Sequence, residues 1–221
     1  RDSRKALVVF ESVLGENHPR TAAGYQSIAD ALLANGNTDL ALAEHRKALK
    51  IRTSFLTEDH PDTAESCSRI GELLLQKKDL TGALSLYRQA LTITIVRCGN
   101  DHPESAIARV DVARVLTALG DNDANDGVLD EAETKLQEAL KVLRGVDGLR
   151  LDVTTSGAVG GEVPTGRACV TLGTLLEMRD GDTNKVEIHD LYAEGVERLT
   201  KVLGGVHPET QAAQTKLLAH C

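Results

Sequence analysis

The sequence predicts an all-α chain, a right-handed α-solenoid of helical hairpins that recur every 42 residues. Three observations carry this. His18-Pro19, His60-Pro61 and His102-Pro103 stand 42 residues apart, and a fourth copy, His207-Pro208, lies 105 residues beyond the third. The flanking positions keep the same offset: Ile28-Ala29, Ile70-Gly71 and Val112-Ala113 match, as do Ala41 with Ala83 and Ala48-Leu49 with Ala90-Leu91. Composition agrees, because charged residues make up 26% of the 221, aromatics only 2%, and Trp is absent. Such a chain favours helices and is poorly suited to a β-sandwich core.

Each repeat reads as two helices. Ile70, Leu73 and Leu74, and then Leu84, Tyr87 and Leu91, recur at spacings of three and four and mark one buried stripe per helix. Pro19, Pro61, Pro103 and Pro208 stand where a first helix begins, a position that tolerates the missing N–H. Gly36 and Gly120 are expected to end that helix in two repeats. Small residues at Ala29, Gly71, Ala113 and Gly173, and at Ala48, Ala90, Ala139 and Gly195, let the two helices approach closely.

The register divides the chain into a half-repeat helix over 1–14, repeat 1 over 18–56, repeat 2 over 60–98, repeat 3 over 102–146, repeat 4 over 164–204 and a C-terminal helix over 207–221. Three insertions interrupt it. At 121–129 the offset slips by seven, giving Ala132 and Ala139-Leu140. A Gly-rich flexible stretch is expected over 147–163, and a short insertion over 180–188. The run Asp121-Asn122-Asp123 begins like a calcium loop, but Asp126 and Ala132 stand where Gly and Glu are required, so a solvated acidic turn is expected. One hairpin cannot bury its apolar stripe, so neighbours must stack, and a groove lined by first helices results.

These residues resemble the tetratricopeptide (TPR) domain of kinesin light chain and its relatives, whose repeats have the same 42-residue length. The resemblance rests on the junctions Leu14-Gly15-Glu16-Asn17-His18-Pro19 and Cys98-Gly99-Asn100-Asp101-His102-Pro103, and on the second-helix core Ala83, Tyr87 and Ala90-Leu91. It covers residues 1 to 146 and 164 to 221. In that family, Asn pairs ahead of each first-helix core hold the backbone of a cargo-adaptor peptide. The matching pairs here are Gln26-Ser27, Ser68-Arg69, Val110-Asp111 and Val170-Thr171, and none is Asn-Asn. The resemblance therefore implies the fold and a binding role.

Several functions are disfavoured. A net charge of −8 repels phosphate backbones and anionic membranes, so partners are expected to be proteins or peptides of neutral, basic or mixed charge, with no nucleic acid and no membrane. Cys67, Cys98, Cys169 and Cys221 are scattered without a CxxC spacing and read as reduced thiols. No apolar run approaches the length of a membrane span. The chain opens on Arg1, which suggests a segment of a longer protein. Histidines of successive junctions cannot converge on one ion, because packed helices stand about 10 Å apart and zinc ligands about 2 Å from the metal. No catalytic residue, metal or cofactor is expected, and the chain reads as a non-enzyme.

Helix geometry nominates the groove. Residues one turn either side of the small packing position should face it, and these include Gln26, Asp30, Arg69, Glu72, Asp111, Arg114 and Thr174. The leading expectation is a protein–protein interaction scaffold or adaptor that binds through the groove or the insertions. Two alternatives are an architectural subunit docked in a large cytoskeletal or ciliary assembly, as a member of a multi-protein complex, and a sensor array of a larger regulatory protein. The expected location is cytoplasmic, cytoskeletal or ciliary.

Overall fold

The computed structural model describes residues 2–56, 59–123, 126–145, 162–180 and 184–220. Among these there are ten helices and no strand. They fall into two units. The first, residues 1–97, carries α1 (Asp2–Leu14), α2 (Pro19–Ala34), α3 (Thr38–Phe55), α4 (Pro61–Gln76) and all but the last residue of α5, which runs Leu80–Cys98. The second, residues 98–221, carries α6 (Pro103–Asp123), α7 (Asp126–Gly145), α8 (Glu162–Asp180), α9 (Lys185–Leu203) and α10 (Pro208–Ala219).

The His-Pro dipeptides start helices for a definable reason. Pro supplies a first helical position with no N–H, so the next amide is the first that needs an acceptor. The preceding imidazole provides one. His18 Nδ1 accepts from Arg20 N–H at 3.1 Å, His60 Nδ1 from Asp62 N–H at 3.1 Å, His102 Nδ1 from Glu104 N–H at 3.2 Å and His207 Nδ1 from Glu209 N–H at 3.3 Å. His thus does at each junction what Ser or Asp does at most helix starts. Ahead of three of these caps the chain reverses at Gly15, Gly99 and Gly204, with φ of +90°, +92° and +83°, a region that side chains with a Cβ rarely adopt. Thr21 and Ser105 hydroxyls then donate back to the Gly15 and Gly99 carbonyls at 2.8 and 2.7 Å, closing the turn.

In the first unit α2 packs on α3, α3 on α4, and α1 caps α2. Tyr25 on α2 donates its hydroxyl to Glu11 on α1 at 2.7 Å. That hydrogen bond, with burial, pushes the phenol up to about 12. The matched positions Ala29, Ala41, Ala48, Ala83 and Ala90 are all buried, as the offset requires. In the second unit α6 pairs with α7, α8 with α9, and α10 lies against α9. Ala113, Ala132, Leu136, Ala139 and Leu143 are wholly buried there. Each fully buried Leu contributes about 1.5–3 kcal/mol.

Gly120 departs from its expected role. It lies inside α6 and does not end it, and its missing Cβ leaves room for Leu129 of α7, whose Cγ would be 2.8 Å from an added Cβ. The acidic insertion is correspondingly helical where it is described: Asp121–Asp123 close α6, and Asp126 opens α7, where a carboxylate suits the positive end of the helix dipole. Residues 124 and 125 lie outside the described set, as do 146 at the end of repeat 3, 147–161 of the Gly-rich stretch and 181–183 of the last insertion. Glu162 and Val163 form the first turn of α8, and Lys185–Ile188 the first turn of α9.

Candidate functional site

One register links the two helices of a hairpin to its outer face. Asp30, Glu72, Arg114 and Thr174 each follow the small packing residue of a first helix: Ala29, Gly71, Ala113 and Gly173. Three of the four are met by a side chain from the second helix. His45 Nε2 on α3 stands 3.7 Å from Asp30 Oδ1. Tyr87 on α5 donates its hydroxyl to Glu72 at 3.0 Å. Tyr192 on α9 lies 3.2 Å from Thr174 Oγ1 and donates to Glu177 at 2.8 Å. His45, Tyr87 and Tyr192 hold one repeat position, 42 and 105 residues apart. Leu136 holds that position in repeat 3, where Arg114 turns instead to Asp111 at 3.2 Å.

Ring size and the small residue correspond. Tyr87 and Tyr192 lie over glycines, where an added Cβ at Gly71 or Gly173 would come within 3.1 Å of the ring. His45 and Leu136 are matched with Ala29 and Ala113. The largest side chain thus goes with the missing Cβ.

In the first unit the predicted residues Gln26, Asp30 and Arg69 are drawn into one network. Gln26 accepts from Arg52 at 2.6 Å and donates to Glu65 at 3.0 Å. Glu65 accepts from Arg69 Nε at 3.0 Å, and Arg69 reaches Asp30 at 3.3 Å. Glu72 stands further along α4 with Tyr87 and Gln76. Two members had not been anticipated. Arg52 comes from α3, is only 4% exposed, and also donates to Ser66 Oγ at 2.5 Å and to the Asp62 carbonyl at 3.2 Å. Burial pulls its pKa down against the attraction of Asp62 and Glu65, and its Nε lacks a hydrogen-bond partner among the described residues. A signal existed: the same repeat position holds Thr94, Leu143 and Leu199, so a charge there is out of pattern. Glu65 carries no such mark.

In the second unit Asp111 and Arg114 share α6, and Arg167 on α8 holds Glu209 on α10 through two hydrogen bonds of 2.7 and 2.6 Å. The Glu209 hydrogen bond raises the Arg167 pKa against burial, and the charges of Arg114 and Asp111 are felt there too. Lys216 on α10 donates to Glu177 at 2.8 Å. Against burial, that bond and the one from Tyr192 hold the Glu177 carboxyl below its ordinary value. Where the resembled family carries Asn, Ser27 and Thr171 turn their hydroxyls back onto their own helices, to the Ala23 and Arg167 carbonyls, and Val110 is buried.

A cleft of about 480 Å³ is lined by Arg109 and Glu138, which pair with each other at 3.1 Å. Burial pushes the Cys67 and Cys169 thiols up to about 11 and about 12, away from thiolate chemistry.

The model of the tetratricopeptide repeat family matches residues 1–54, 25–94 and 62–144, together well over half of the chain. The chain belongs to the tetratricopeptide repeat family. Solved structures extend the likeness beyond the matched residues. A kinesin light chain-type protein of Podosopora anserina with nearly identical TPR-like repeats shares 18% identity over 92% of this chain and 86% of its own, with a TM-score of 0.60. BtubC (BKLC) from P. vanneervenii shares 15% over 99% and 78%, with a TM-score of 0.66. These likenesses show the fold, that of kinesin light chain-like TPR arrays of the α-solenoid class. No curated protein matches the chain. TPR arrays generally mediate protein–protein interaction and are typically non-catalytic, and among the described helices none is long and apolar enough to cross a membrane.

Proposed function

We propose that this TPR array is an interaction scaffold that receives a peptide segment of a partner protein along the first-helix face of α2 and α4. The observation that carries the reading is the cross-linked row formed by Gln26, Glu65, Arg69 and Asp30, with Glu72 further along α4. These side chains belong to first helices, yet Gln26 is held from behind by Arg52 and Glu72 by Tyr87, both of second helices. A face already fixed in one geometry loses little side-chain entropy when it binds, which favours affinity. The face carries three carboxylates, one guanidinium and one amide, which suits hydrogen-bonded recognition of a polar or basic segment and not of a polyanion.

The test is selection from a displayed peptide library, followed by titration of the winning peptides against wild type and the triple variant Gln26→Ala, Arg69→Ala, Glu72→Ala. Arg69 is half-exposed and its loss should cost little stability, Gln26→Ala withdraws an acceptor from the buried Arg52 at about 1–3 kcal/mol, and circular dichroism establishes that the variant is folded. Peptides should bind the triple variant at least about tenfold more weakly, a loss of about 1.4 kcal/mol. They should bind a chain lacking residues 149–162 unchanged. Unaltered affinity in the triple variant, or loss confined to the deletion, would move recognition away from this face.

A further inference from the structure

We propose that the junction leading into α6 binds a divalent cation of the zinc type through Cys98, His102 and Glu104. Their ligand atoms, a thiol, an imidazole nitrogen and a carboxylate oxygen, all lie within 4.8 Å of one another. The thiol already donates to Glu104 Oε2 at 3.5 Å. In a tetrahedral site, zinc at about 2.0–2.3 Å from each donor sets ligands roughly 3.5 Å apart, so the cluster must close by about 1 Å. Rotation of the Glu104 and Cys98 side chains covers that distance.

The repeats supply an internal comparison. All four His-Pro junctions have the same capping imidazole, but where this one has Cys98 the others have Leu14, Leu56 and Leu203. An apolar position has therefore become a metal-seeking one at a single junction, where Glu104 is also present. All three ligands come from one turn of chain, so the distance between repeats imposes no obstacle. The charges favour the assignment as well. The positive end of the α6 dipole opposes a bare cation, and thiolate with carboxylate supplies two negative charges to overcome it. At the same two positions the Leu junctions have at most one.

The imidazole is held in a usable form. Because Nδ1 accepts from Glu104 N–H, its lone pair is on Nδ1 and its proton on Nε2. An ion binding Nδ1 takes over that lone pair and displaces one cap hydrogen bond. The Cys98 proton is released to solvent and the fourth position is left to water. A soft thiolate with imidazole and one carboxylate selects Zn²⁺ over Ca²⁺ or Mg²⁺. Cys67 and Cys169 are buried, which leaves Cys98 as the accessible thiol among the described residues.

The test is titration of the whole chain with Co²⁺ as the spectroscopic probe, in a Cys221→Ser background that removes the terminal thiol. One equivalent should give a thiolate-to-cobalt charge-transfer band, displaced by Zn²⁺, with release of about one proton per ion near neutral pH. Cys98→Ser should abolish the band. Glu104→Gln should weaken binding at least tenfold, and so should His102→Asn, in which Asn keeps a capping side chain. His60→Asn, at a Leu junction, should bind as wild type does. Melting curves establish that each variant is folded. Absence of the band in the folded wild-type chain, its persistence in Cys98→Ser, or equal weakening by His60→Asn and His102→Asn would overturn the assignment.

Discussion

Gly71→Ala tests whether the ring on a second helix and the missing Cβ on its first helix are adjusted to each other. An added Cβ would lie 3.1 Å from Tyr87 Cζ and 3.2 Å from Cε1 and Cε2, inside the 3.4–4 Å of ordinary contact. Three contributions compete. Replacing Gly within a helix gains about 1 kcal/mol. Displacing a ring that is 2% exposed costs about 1–3 kcal/mol. The same displacement stretches the 3.0 Å hydrogen bond to Glu72, worth about 1 kcal/mol. The single variant should therefore range from neutral to about 3 kcal/mol less stable. In a Tyr87→Leu background the crowding and the hydrogen bond are both gone, and the same Ala should stabilise by about 1 kcal/mol, reproducing the Ala113 and Leu136 combination of repeat 3. Urea unfolding of the four proteins, followed by circular dichroism and fitted with nearest-neighbour coupling between hairpins, gives the interaction energy. It should be about 1–4 kcal/mol, the crowding and the hydrogen bond together. A value under about 0.5 kcal/mol, the range of independent sites, would refute the adjustment.

Three further outcomes are expected. Arg52→Met keeps most of the side-chain volume and should change stability by no more than about 1 kcal/mol, whereas Arg52→Ala opens a cavity and should cost at least about 2 kcal/mol; equal losses in denaturant melts would count against a packing role for the arginine stem. Burial lowers the His45 pKa despite Asp30, so the unfolded chain takes up this proton first. The neutral form's stability is complete above the ordinary value of 6.5 and is lost as pH falls below it toward the folded value. His45→Leu should flatten that part of the stability–pH curve, and an unchanged slope would assign it elsewhere. Lys78 sits at φ +61° where the first repeat has Gly36 at +76°, so Lys78→Gly should raise stability by about 0.5–1 kcal/mol in the same melts, and a loss would show that the Lys side chain compensates its strain.

The His-Pro register was legible because each junction solves the same local problem, a first helical amide without an acceptor, with residues adjacent in sequence. The small packing positions were legible for a similar reason, since Ala29, Gly71 and Ala113 recur at one offset. Contacts that join different helices were less so. Gly71 and Tyr87 were both visible, but their fit depends on how α4 crosses α5. Arg52 reaches Gln26 across 26 residues and Ser66 across 14, distances at which periodicity says nothing about side-chain direction. Gly120 misled because Gly marks both a helix end and a close approach, and only the position of Leu129 tells them apart. Of the nominated face, Gln26, Asp30 and Arg69 do meet, Glu72 and Thr174 are engaged by tyrosines, and Asp111 and Arg114 pair with each other.

The second-helix posts Tyr87 and Tyr192 make the hairpin the natural unit of exchange. A first helix grafted alone would arrive without the side chain that orients its outward residue, and a consensus second helix lacking the tyrosine would leave Glu72 without the phenol that holds it. Transplanting α4 with α5 as a block moves Glu72, its tyrosine and the glycine beneath the ring together. Recombination of whole repeats can therefore reassort recognition surfaces in this array, whereas drift at single first-helix positions is held back by a partner on the helix behind.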